Sequence, residues 1–211
     1  MPVQQDTVLI VFARAPVPGK VKTRLVPLLG AEGAAALHVR LVKHALNTAR
    51  KASLPRIELH CAPDAEDPFF RFCAGHYRIA TLAQADGDLG GRMHAAFVRE
   101  FGAAARALLI GSDCPALTAR HLRQADAALR DGADAVFVPC EDGGYALIGL
   151  RRADVRLFEG IEWGGSTVMA ETRRRLATLG WQWRELDTQW DVDRPEDYER
   201  LLAERLLEPQ A

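Results

Sequence analysis

Three cations stand at alternate positions in the stretch APVPGKVKTRL: Lys20, Lys22 and Arg24. Pro16 and Pro18 stiffen the segment before them, and Gly19 is free to take a left-handed turn. In an extended backbone all three cations would point to one side. They would repel one another unless an anion sat among them, and each charge-assisted hydrogen bond to a phosphate contributes roughly 1.5–3 kcal/mol. A phosphate grip and a solvated basic turn are the two readings of this loop. Two familiar phosphate loops are excluded. Gly19-Lys20 is followed by Val21 where a P-loop needs Ser or Thr, and Arg14 stands at the upstream glycine position. No G-x-G-x-x-G follows the apolar run either, so a dinucleotide site is unsupported.

Carboxylates further along supply the missing partner. In ALLIGSDCPAL an apolar run enters Ser112-Asp113, and Pro115 keeps Cys114 out of helical geometry, which fixes Asp113 at a strand's carboxyl end. A carboxylate there suits Mg²⁺, which takes oxygen ligands, usually one or two carboxylates plus substrate phosphates. The alternative is a cap on the next helix or turn. In WDVDRPEDY, Asp191 and Asp193 are two apart and would face one side of an extended chain. Asp193 is open to a second role, because Pro195 and Glu196 after it resemble a capping box. Asp113 with Asp191 would hold Mg²⁺ (or Mn²⁺) against a polyphosphate while the basic loop grips its other oxygens. Positioning and charge neutralisation would then carry the catalysis without a protein nucleophile.

Three more stretches are candidates. GDLGGRM places Asp88, Gly90 and Arg92 before a helix, where they contact a nucleotide or only cap and solvate the helix. CEDGGYAL puts Glu141 and Asp142 beside Gly143 and Gly144, which suits a hydroxyl-rich acceptor or simply a turn between strands. EWGGSTV reads as a helix start capped by Ser166 or Thr167, with Trp163 lining an acceptor pocket. The six histidines form no H-E-x-x-H, and His38, His44 and His94 fall in helical patterns as surface or core residues. No Ser-His-Asp arrangement is indicated, and Cys114 packs rather than attacks.

The elements that must position these residues alternate strand and helix. Strands are predicted over Thr7–Ala13, Arg56–Ala62, Tyr77–Leu82, Ala107–Asp113, Ala133–Cys140, Tyr145–Leu150 and within WQWREL. A long helix carries Ala34, Leu37, Leu41, Ala45 and Thr48 on one face, and a short one covers FFRFC. Further helices carry Met93, Ala96, Phe97 and Phe101, span about Ala119–Arg130, run from Val168 to Leu179 before Gly180, and close the chain in RPEDYERLLAERLL. This pattern predicts a single-domain α/β, Rossmann-like three-layer αβα sandwich over 1–211, with a mostly parallel sheet and a locally antiparallel pair at VFVPC and YALIGL. Ligands in such sheets sit beyond the carboxyl ends of the strands, where the basic loop and Asp113 fall.

Composition sets outer bounds. The 27 Lys and Arg nearly cancel the 28 Asp and Glu, so no global field favours nucleic acid or an anionic membrane. The sequence predicts no signal peptide and no apolar stretch near the roughly 20 residues that span a bilayer. The four scattered cysteines read as reduced thiols in a cytoplasmic protein.

The stretches FARAPVPGKVKTRL, GDLGGRM, GSDCP, EDGGYALIGL and DVDRPED, in this order, resemble the radical-SAM- and selenium-associated transferases (DUF2064-type). That family lies in the nucleotide-diphospho-sugar transferase (GT-A) superfamily. More distantly, KVKTRL resembles the phosphate loop of phosphoenolpyruvate and phospholactate guanylyltransferases, and DVDRPED the closing motif of molybdenum-cofactor nucleotidyltransferases. The resemblance implies a GT-A-like fold with a nucleotide over Ala13, Arg14, Gly19 and Thr23, further contacts at Asp88, Gly90, Arg92, Gly143 and Gly144, and Lys20, Lys22 and Arg24 on the phosphates. It also implies the metal on Asp113 and on Asp191 or Asp193. Two departures bear on the activity. The glycine-rich G-x-G-T-R loop of sugar nucleotidyltransferases is replaced by Pro-Gly, and the Asp-x-Asp of GT-A glycosyltransferases has Pro115 at its third position. The expected activity is nucleotidyl transfer from an NTP to a small phosphorylated or hydroxylated acceptor. Sugar transfer from an NDP-sugar, and nucleotide sensing without turnover, are the alternatives. Base, acceptor and oligomeric state are not encoded legibly.

Overall fold

The structure, a computed structural model, describes residues 6–207. Its strands are β1 (Thr7–Arg14), β2 (Arg56–Ala62), β3 (Ala80–Ala83), β4 (Arg106–Ile110), β5 (Ala135–Pro139), β6 (Tyr145–Leu150) and β7 (Trp183–Glu185). They form one sheet in the order β3-β2-β1-β4-β6-β5-β7. Only β6 runs antiparallel to its neighbours. The helices are α1 (Val26–Ala52), α2 (Pro68–Tyr77), α3 (Leu89–Glu100), α4 (Ala119–Arg130), α5 (Val168–Leu179) and α6 (Pro195–Glu204).

The layering follows from strand alternation. Leu9, Val11 and Ala13 of β1 enter one core with Val42 and Leu46 of α1 and Leu122 and Leu129 of α4. Val8, Ile10 and Phe12 enter the opposite core with Met93 and Phe97 of α3 and Leu176 of α5. A strand covered on both faces must be apolar throughout, and β1 is buried along its length up to Arg14. The result is the three-layer α/β sandwich that the sequence predicts.

Three local expectations are corrected. Tyr77–Leu82 is not a strand from its start: Phe70, Cys73 and Tyr77 share the buried face of α2, so the helix runs through Tyr77 and β3 begins at Ala80. An apolar stretch of membrane-spanning length does exist, because Thr23–Ala52 is 30 residues long and holds an 18-residue window with a mean hydropathy of 1.4. This segment is a core helix, with Leu37, Leu41, Val42, Leu46 and Ala49 buried, and Gly30 (φ 70, ψ 166) kinks its first turns. Finally, β4 ends at Ile110, which leaves Gly111-Ser112-Asp113 as a loop beyond the ladder.

Sheet order locates the crevice. From β1 the chain proceeds outward through β2 and β3, then returns to place β4 on the other side of β1. The loops after β1 and β4 therefore diverge at a topological switch point, where open α/β sheets bind ligands.

Candidate active site

A cavity of about 620 Å³ opens at this switch point. Ala13, Arg14, Lys20, Lys22, Thr23 and Arg24 line it from the β1 side. Ser112, Asp113, Cys114, Asp191 and Asp193 line it from the other, with Arg92, Asp142 and Gly144 on its rim. Gly19, Asp88, Gly90, Glu141 and Gly143 do not line it.

The basic loop is not extended. Lys20 N–H donates to the Val17 carbonyl (2.9 Å), Gly19 has φ 73, Lys22 is left-handed (φ 47), and Thr23–Leu25 is a 3-10 turn. Val21 and Leu25 are buried and force this fold-back. The cations therefore do not share one face of a strand. The Lys22 side chain turns inward and is 5% exposed, whereas Arg24 is 60% exposed.

Lys22 Nζ donates to Asp113 Oδ1 (2.7 Å) and to the Val192 carbonyl (2.7 Å). Val192 N–H donates to the Asp113 carbonyl (2.8 Å), which ties the C-terminal acidic segment to the β4 loop. Burial alone would raise the Asp113 carboxyl pKa, but the charge and hydrogen bond of Lys22, helped by His38 and Ser112, outweigh it and hold the group below its ordinary value. Asp191 is pushed the other way, to about 6, by burial and then by the carboxylates of Asp142 and Asp113, against the pull of Lys22. Asp142, read from sequence as an acceptor contact or part of a turn, is a negative neighbour of Asp191.

Asp193 does not cap α6. Its carboxylate pairs with Arg24, while Asp197 Oδ2 accepts the N–H groups of Asp193 (3.0 Å) and Arg194 (2.7 Å). Nor does Asp113 cap α4, whose N-terminus is closed by Thr118 with His121 Nδ1 accepting Thr118 N–H at 3.1 Å. Asp88 caps α3 through Gly91 N–H (2.8 Å). Glu141 turns away to Arg200 (2.9 Å). Thr167 precedes α5 without a side-chain cap.

Two motif glycines serve packing. A Cβ on Gly90 would lie 2.5 Å from Trp163 Nε1, and one on Gly143 2.0 Å from the Ser166 carbonyl oxygen. The indole of Trp163, which lines the cavity, thus sits directly on α3.

Among the cavity residues that sequence reasoning missed are Gln84 and His38. Gln84 Nε2 donates to the carbonyls of Ala13 (3.3 Å) and His60 (2.8 Å), and its Oε1 accepts from Arg92 (3.2 Å). His38, taken from its helical spacing as core or surface, reaches the cavity and bonds the Arg14 carbonyl through Nε2 (3.0 Å). A second acidic cluster lies outside the cavity. Among the described residues, Glu58, His60 and Glu100 are the one trio whose ligand atoms all fall within 4.8 Å, but the Arg56 guanidinium pairs both carboxylates there.

The donor set at the cavity fits a divalent cation. Lys22 and Ser112 both engage Asp113 Oδ1 and leave Oδ2 without a partner among the described residues, and the Asp113 side chain is 49% exposed. Asp191, raised first by burial and then by the carboxylates of Asp142 and Asp113, is a group whose charged form a cation would favour. Asp193, held by Arg24, fits less well.

The fold and the proteins it resembles mark the chain as a transferase. The chain belongs to the family described as "Uncharacterized protein conserved in bacteria (DUF2064)", whose model matches residues 45–165. It is 31% identical to a Desulfovibrio desulfuricans protein provisionally assigned as a nucleotide-diphospho-sugar transferase, with a TM-score of 0.80 over 89% of this chain and 82% of that one. A CMP:2-keto-3-deoxy-manno-octonic acid synthetase bound to CTP shares the fold at 11% identity and TM-score 0.63, covering 95% and 98%. A Mycobacterium tuberculosis protein in complex with manganese does so at 17% identity and TM-score 0.55, covering 94% and 98%. No curated protein matches the sequence.

Proposed function

We propose that this chain, acting as one unit, is a nucleotidyltransferase dependent on Mg²⁺ or Mn²⁺. It takes a nucleoside triphosphate, transfers the nucleotidyl group to a small phosphorylated or hydroxylated acceptor, and releases pyrophosphate. The observation that carries this reading is the meeting of Lys22, Asp113 and Asp191 in one cavity at the strand switch point. The four scattered cysteines fit action in the reducing cytoplasm.

Each residue has a physical task. Lys20 and Arg24 at the outer lip bind phosphate oxygens, and Arg24 steadies the departing pyrophosphate once a ligand competes with Asp193. Arg92, aimed by Gln84, adds a further anion contact. Asp113 and Asp191 would hold the cation, which supplies charge neutralisation at the phosphates when bound. Trp163 and Tyr145, edge to face at 6.4 Å, wall the side where the acceptor enters. The acceptor oxygen attacks the α-phosphorus in line as the bond to pyrophosphate breaks, and orientation supplies most of the rate.

A second reading is sugar transfer from an NDP-sugar in the same cavity, favoured by the assignment of the 31% identical relative. One assay separates them. Incubation with each NTP, Mg²⁺ and an acceptor panel should release pyrophosphate. NDP released from NDP-sugars, without pyrophosphate from NTPs, replaces the first reading by the second. Tight nucleotide binding with no product under either condition makes the protein a sensor.

A further inference from the structure

Two buried side-chain polar atoms have no hydrogen-bond partner among the described residues, His38 Nδ1 and Trp163 Nε1. Both residues line the cavity. His38 is 4% exposed and is fixed by its bond to the Arg14 carbonyl. A carbonyl only accepts, so Nε2 carries the ring proton and Nδ1 is a bare acceptor. An unpaired buried acceptor is costly to keep. The charged groups acting on this imidazole are Asp113, Lys22 and Arg14, of which Asp113 is a proposed cation ligand and Lys22 its ion-pair partner.

Lys22 meets the complementary problem. Its ammonium occupies Asp113 Oδ1 in a position almost closed to solvent. A cation arriving at Asp113 meets that charge at close range. The ammonium is held almost out of water, so a buried acceptor within the same cavity would let it leave Asp113 without being drawn out to solvent.

We propose that His38 is a positioning residue whose Nδ1 gives the Lys22 ammonium a second seat, so that Lys22 can leave Asp113 Oδ1 when a divalent cation binds at Oδ2. The inference rests on the metal reading of Asp113 and Asp191. On cation binding, Lys22 keeps its bond to the Val192 carbonyl and turns one N–H from Asp113 to His38. Its positive charge stays inside the cavity, beside the phosphates.

The test is a double-mutant cycle read by Mn²⁺ titration with electron paramagnetic resonance on the full chain. His38→Phe should weaken Mn²⁺ binding about tenfold, because Lys22 is then pinned on Asp113. Lys22→Met should tighten it, and in that background His38→Phe should change the affinity less than twofold. A purely structural role for His38 predicts the same loss in both backgrounds and would overturn the proposal. If His38→Phe does not fold, His38→Gln is read in the same cycle with the same criterion. Mn²⁺ binding by the wild type without coupling between 38 and 22 sinks the His38 assignment alone. No Mn²⁺ binding by the wild type sinks the metal reading and this inference with it.

Discussion

Lys22 Nζ stands 2.7 Å from Asp113 Oδ1, in an ion pair that joins the loop after β1 to the loop after β4. The partners are unequally buried, at 5% and 49% side-chain exposure. Removing either one therefore has unequal effects. Asp113→Ala strands a buried ammonium and should cost about 2 kcal/mol, between the values for exposed and fully buried pairs. Lys22→Met leaves a half-solvated carboxylate and should cost under about 1 kcal/mol. Urea denaturation checks the order, and a larger loss for Lys22→Met contradicts the burial argument.

Gly90 and Gly143 should tolerate a methyl group unequally. At Gly90 the added Cβ meets the Trp163 indole, a side chain that can shift, so Gly90→Ala should cost about 1–3 kcal/mol and alter tryptophan fluorescence. At Gly143 it meets the Ser166 backbone at a φ of 91, so Gly143→Ala should cost more. Thermal denaturation of the two variants gives the comparison.

The raised Asp191 carboxyl makes a signed pH prediction. A carboxyl whose folded pKa of about 6 exceeds its unfolded value favours folding when protonated, and this contribution is lost as pH rises through about 6. Asp191→Asn should therefore stabilise the protein relative to wild type at pH 7, by about 1–2 kcal/mol after allowance for solvent screening. The gain should fade toward pH 4. A difference between variant and wild type that stays flat from pH 4 to pH 7 rules this out.

Gln84→Leu should release Arg92 while leaving its charge in place. The expected result is a several-fold rise in nucleotide KM with little change in kcat, measured by steady-state kinetics. An unchanged KM means that Arg92 does not need Gln84 to reach the ligand.

The sheet was legible because TVLIVFA and ALLI must be buried on both faces, a demand that leaves continuous apolar runs in the chain. Asp113 was legible because Pro115 stops the backbone from entering a helix beside it. His38 was not, since its spacing with Leu37 and Leu41 matches a core helix face and only tertiary folding brings the Arg14 carbonyl and Lys22 beside it. Gln84 lies just after a four-residue strand and shows no motif, yet it joins the ends of β1 and β2. The three cations were read as an alternating row because local spacing cannot reveal that Val21 and Leu25 must be buried, which curls the loop. Asp193 resembled a cap because Pro195 and Glu196 follow it, but Asp197, four residues on, takes that role.

Calorimetric titration of a nucleoside triphosphate, with and without Mg²⁺, tests most directly whether separated carboxylates and a cationic lip build one site for a metal-bound polyphosphate. Wild type should bind at least about tenfold more tightly with Mg²⁺, a difference of about 1.4 kcal/mol, and folded Asp113→Ala and Asp191→Ala should lose that enhancement. Equal affinity with and without the ion, or full enhancement in both variants, would contradict it.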